Sequence, residues 1–122
     1  MVGSAARLSS LHLLVALAAL AAGAASAGCS GCEGSFDKQA RADLRNAAVA
    51  EELAFALRSP PVYVTCEDEE CEKQLPGFKR SSPYVHIAMR AEGRGFVGTA
   101  KHRNSWNTWT WDSRAPDQPQ RK

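Results

Sequence analysis

Apolar and polar positions change their spacing three times along the chain. Residues 11–22 (LHLLVALAALAA) are a run of twelve, interrupted only by His12. Over residues 36–58 the apolar positions recur at helical intervals, which predicts one amphipathic helix of about six turns. Val49, Leu53 and Leu57 stack at steps of four on one edge, and Leu44, Ala47, Ala48, Ala54 and Phe55 widen that surface. Lys38, Arg41, Arg45 and Glu52 fall on the opposite side, toward water. Alanines at 40, 42, 47, 48, 50, 54 and 56 favour helix and let another layer approach closely. Ser35 is placed to cap the helix start and Asp37 to meet its positive dipole end. Ser59-Pro60-Pro61 ends it, because the prolines bring no amide donor and Pro60 disfavours helical geometry at Ser59.

Beyond the prolines the period falls to two. Residues 62–65 (VYVT), 84–90 (YVHIAMR), 96–102 (FVGTAKH) and 108–111 (TWTW) read as strands. Residues 91–95, AEGRG, supply the turn between the second and third. Gly98 inside a strand marks a bulge or a close backbone approach. The expected architecture is α+β, with one long helix packed on a three- or four-stranded antiparallel meander. Residues 114–122, rich in Pro, Gln and charge, are expected to be disordered.

The start of the chain reads as an export signal. One positive charge at Arg7 precedes the apolar run, and Ala25-Ser26-Ala27 is an A-x-A cleavage site. Twelve apolar residues fall short of the about 20 that a membrane-spanning helix needs. Cleavage after residue 27 would leave 95 of the 122 residues, comprising a glycine-rich leader at 28–35, a domain at 36–113 and the tail. The expected localisation is periplasmic or extracellular. Ser26-Ala27-Gly28-Cys29 loosely resembles a lipobox, so a lipid anchor at Cys29 is the alternative; the usual leucine three positions before the cysteine is missing. Without Arg7 the chain carries 14 Lys and Arg against 13 Asp and Glu, too balanced to steer toward nucleic acid.

Four cysteines follow: Cys29-x-x-Cys32 and Cys66-x₄-Cys71. In an oxidising compartment disulfides are expected, and the reading favours local pairs, 29–32 and 66–71, over crossed ones. A redox C-x-x-C would sit at a helix start after a strand, whereas this one lies in the leader. Four thiolates could close a tetrahedral zinc site, but no compact zinc-ribbon spacing is present. Glu67, Asp68, Glu69, Glu70 and Glu72 form an acidic segment without the spacing or turn glycine of a calcium loop, and it reads as a solvated loop facing a partner. His86 and His102 are read as exposed strand histidines rather than bases paired with Asp112. Trp109 and Trp111 share one strand face and are expected in the core, leaving Trp106 as the binding candidate. No catalytic residue, cofactor or metal site is expected.

Two stretches carry a resemblance. Gln39-Ala40-Arg41-Ala42-Asp43-Leu44-Arg45-Asn46-Ala47-Ala48-Val49-Ala50-Glu51-Glu52 is similar to the exposed half of the pilin helix. Gly95-Phe96-Val97-Gly98-Thr99-Ala100-Lys101-His102 with Thr108-Trp109-Thr110-Trp111-Asp112 is similar to pilin meander strands. Together they resemble the globular domain of type IV pilins and type II secretion pseudopilins. The resemblance implies a non-enzymatic structural or binding protein whose partners are envelope proteins of a pilus or secretion apparatus. The chain departs from that family in having neither a prepilin cleavage motif nor the long apolar helix that packs a filament core. An ordinary subunit role is therefore not expected. The rival reading is a small envelope metal or thiol-redox protein using Cys29, Cys32, Cys66 and Cys71.

Overall fold

The computed structural model describes residues 34–115 and 117–122. The expected export signal, the start of the leader, and Cys29 and Cys32 lie outside the described residues. Within them the elements run α1 (Ser35–Leu57), β1 (Cys66–Glu67), α2 (Asp68–Gln74), β2 (Val85–Glu92), β3 (Gly95–His102), β4 (Trp109–Asp112) and β5 (Gln120–Arg121). The five strands form one antiparallel sheet in chain order, and α1 packs across β2, β3 and β4. The α+β expectation of a long helix on an antiparallel sheet agrees with this, and the sheet has one strand more than expected.

The helix starts one residue before the expected position. Gly34 is its N-cap in extended geometry, and its carbonyl accepts the Lys38 amide at 3.1 Å, so Ser35 lies inside the first turn and makes no side-chain cap. At the other end the Arg58 amide reaches Ala54 O at 3.2 Å before the prolines stop the ladder.

The helix is turned differently about its axis from the expected orientation. Ala40, Leu44, Ala47, Ala48, Ala50 and Ala54 are buried, whereas Val49, Leu53 and Leu57 are exposed. Gly98 supplies the physical reason. A Cβ there would lie 2.9 Å from Leu44 Cδ1 and 2.6 Å from Met89 Sδ, so Leu44, set among the buried alanines, comes in against bare backbone. A ridge of valine and leucine would hold the two layers apart.

Strand alternation follows the sequence in β2, where Val85, Ile87 and Met89 are buried and His86 is exposed. In β3, Phe96, Ala100 and His102 face the core. The Gly93-Arg94 turn joins them, with Gly93 at φ +58° and the Glu92–Gly95 pair closing it. Trp109 is buried and Trp111 packs half-buried on the cluster, as expected for the pair.

Three stretches differ from expectation. Residues 62–65 are not a strand: the Val64 amide goes to Glu51 Oε2 at 2.8 Å, and sheet pairing starts only at Cys66. The acidic segment is largely the short helix α2, not a loop. The tail is not wholly irregular, because β5 pairs Gln120 with Thr110 and Arg121 with Trp109. Side chains finish both sheet edges. Asp68 Oδ1 accepts the Ile87 amide at 2.8 Å, Thr65 Oγ1 accepts the Ala91 amide at 2.9 Å, and Gln118 Oε1 accepts the Asp112 amide at 3.1 Å. These bonds occupy donors that would otherwise invite another strand.

Candidate functional site

The loop between β3 and β4 is built from polar residues that bond to one another. The Ser105 amide donates to His102 O at 3.0 Å and the Asn104 amide to His102 Nδ1 at 3.0 Å. Asp37, in the first turn of α1, then fastens the loop from below. The Ser105 hydroxyl donates to Asp37 Oδ1, and Asn107 Nδ2 donates to Asp37 Oδ2 at 2.6 Å. The Asn107 amide adds a bond to Ser105 Oγ at 3.1 Å. Trp106 lies between the two clamped residues and is 97 % exposed. An apolar surface of this size, held in place rather than free, loses little further backbone freedom when a partner covers it.

Cations and rings surround the tryptophan. Lys101, Arg103, Asn104 and Ser105 line a shallow cavity with it, of about 200 Å³. The Arg103 guanidinium sits 4.7 Å above the Tyr84 ring, and Phe36 stacks on His102 at 4.3 Å. His102 is thus buried, not exposed as expected, because its ring fills the space between the helix start and Tyr84.

The acidic segment has a different organisation from a bare charged loop. Glu67 is exposed in β1, and Cys66 and Cys71 are bonded to each other across it. Arg80, its guanidinium largely buried, gathers the carboxylates: Glu72 at 2.6 Å, Asp68 at 3.5 Å and Glu69 at 4.0 Å. Asp68 Oδ2 lies 2.7 Å from His86 Nδ1. Glu70 bonds Lys73 at 3.1 Å, and that bond holds its carboxyl below the usual range. Much of this charge is satisfied within the fold. Among the described residues, no group of three or more His, Cys, Asp or Glu side chains is placed to hold a metal ion.

The structure does not bring His86, His102 and Asp112 together. Asp112 is opposite Val97 and His86 is opposite Lys101, four positions along β3, while His102 faces the helix. Asp112 is bonded to Arg114 instead, which keeps its carboxyl low and the guanidinium high. Trp106 and the acidic residues remain as the sequence-derived contact candidates. Sequence reading offered Lys73, Lys79 and Arg80 as partners of the acidic segment, of which Lys73 and Arg80 pair with it, and it missed Asp37 as the clamp. The N-S-W-N polar run around Trp106 is the one signal that pointed to a shaped loop. Compared with known proteins, the chain matches no family model, no curated protein and no solved structure.

Proposed function

We propose that this chain is an exported, non-enzymatic structural and binding protein of pilin-like type, whose partners are envelope proteins of a pilus or secretion apparatus. The carrying observation is the Trp106 loop. A tryptophan 97 % exposed between two residues clamped by one carboxylate is costly to leave in water and well prepared for a complementary pocket. Lys101 and Arg103 on its flank favour a partner with acidic residues around that pocket.

The pilin-like part of the reading is supported by how its two stretches meet. Leu44 of the D-L-R-N segment lies against Gly98 of the F-V-G-T-A segment, so each explains the other's residue choice. The chain order of long helix first and antiparallel meander afterwards is of the same kind.

The test is photo-crosslinking in the native envelope, with a crosslinking amino acid at Asn104 and identification of the captured neighbour. Trp106→Ala should lower capture at least tenfold while leaving circular dichroism and Tm unchanged. Capture equally efficient in that variant would remove Trp106 from the interface and the proposal with it.

A further inference from the structure

We propose that the outward face of α1 is a docking surface for an anionic lipid bilayer. The helix holds four carboxylates, Asp37, Asp43, Glu51 and Glu52, against three bases, Lys38, Arg41 and Arg45. By sequence it is net acidic. Its surface is not, because Asp37, Asp43 and Glu51 are all buried and bonded to Ser105 and Asn107, to Ser81, and to Val64. Glu52 is the one exposed carboxylate of the helix, and it accepts the Tyr63 hydroxyl at 3.1 Å. Turning three acids inward leaves the water-facing side of an acidic helix cationic.

That side is also the apolar one. At 100° per residue, Lys38, Ala42, Arg45, Val49, Leu53 and Ala56 fall within an arc of about 80°. Val49, Leu53 and Leu57 are 64, 45 and 70 % exposed. The bases lead into this ridge from the N-terminal half. Lys79 sits on the lip of a groove of about 290 Å³ formed with Val49, Leu53, Pro76 and Gly77. A convex ridge of Val and Leu with cations at its N-terminal end and along one side fits a flat, negatively charged, partly apolar partner. Apolar side chains would dip into the boundary between headgroups and acyl chains while Lys and Arg reach the phosphates. Charge complementarity selects the bilayer over a second copy, whose α1 would offer Glu52 as its one exposed carboxylate against Lys38, Arg45 and Lys79.

This reading stands on α1 and its rim, and does not rest on Trp106. The experiment is flotation of the full protein with phosphatidylglycerol–phosphatidylcholine vesicles and with pure phosphatidylcholine vesicles. Binding should require phosphatidylglycerol and weaken with added salt. Arg45→Ala and Lys79→Ala should each weaken it about fivefold, and Leu53→Asp should abolish it with the circular dichroism spectrum unchanged. Absence of flotation, or equal flotation on pure phosphatidylcholine, overturns the proposal. Salt-insensitive flotation that survives Leu53→Asp also overturns it and marks an acyl chain at Cys29 as the anchor. Self-association lost in Leu53→Asp, without flotation, overturns it in favour of a second copy. Trp106→Ala should float like the parent protein, so the two proposals fail separately.

Discussion

One carboxylate oxygen of Glu51 accepts the Val64 amide at 2.8 Å, and the other is buried without a partner. The first bond fixes the strap between α1 and β1, and the second oxygen makes no hydrogen bond to the described residues.

Stability should therefore depend on pH through this one group. Burial pushes the Glu51 carboxyl up to about 7 from its ordinary 4.5; the Val64 amide and Arg58 pull it down, and Glu52 pushes it up. The native state holds this proton more tightly than the unfolded chain does. Its contribution is complete below about 4.5 and is lost as pH rises through about 7, by up to about 3 kcal/mol. Urea unfolding from pH 5 to pH 8.5 should show the decline, and Glu51→Gln should flatten it. A parent protein with equal stability at both ends would contradict the assignment.

Asp43 gives a second buried carboxylate a different outcome. It accepts the Ser81 amide at 3.0 Å and the Ser81 hydroxyl at 2.9 Å, tying residues thirty-eight apart in sequence. Burial raises its pKa, and the Ser81 bonds and Arg80 oppose that rise. Asp43→Ala should cost about 1–3 kcal/mol by leaving the Ser81 donors unmatched, with Asp43→Asn recovering part of the loss in chemical denaturation.

A side chain at Gly98 should fit only if the Leu44 and Met89 side chains move aside. An added Cβ meets Met89 Sδ at 2.6 Å and Leu44 Cδ1 at 2.9 Å, both in fully packed residues. Gly98→Ala is expected to lower stability by about 1–3 kcal/mol and Gly98→Val by more. A thermal melt unchanged by Gly98→Val would mean the helix does not lie this close.

The Cys66–Cys71 bond closes a loop with a sequence separation of 5 around the start of α2. Replacing both cysteines by serine should cost about 2 kcal/mol in the chain-entropy account. Hydrogen exchange should rise first in α2 and at the Ile87 amide, which depends on Asp68, while α1 stays protected. Uniform loss of protection would place the disulfide in the global fold instead.

The sequence by itself determined the long helix and the two long strands, with much of their extent. Alanine-rich helical spacing and the two prolines bounded α1, alternation located β2 and β3, and the short spacing of Cys66 and Cys71 favoured the pair that forms. These are local signals, carried by residues within a few positions of one another. Tertiary structure decided which arc of α1 meets the sheet, because the helix has an alanine arc and a valine-leucine arc, and periodicity alone does not choose between them. Gly98 favours the alanine arc by leaving room for its one leucine, Leu44. The same choice turned Asp37, Asp43 and Glu51 inward to partners far along the chain, drew residues 62–65 away from the sheet, and buried His102 beneath Phe36. Contacts of that range depend on how the layers approach, and local spacing does not encode them.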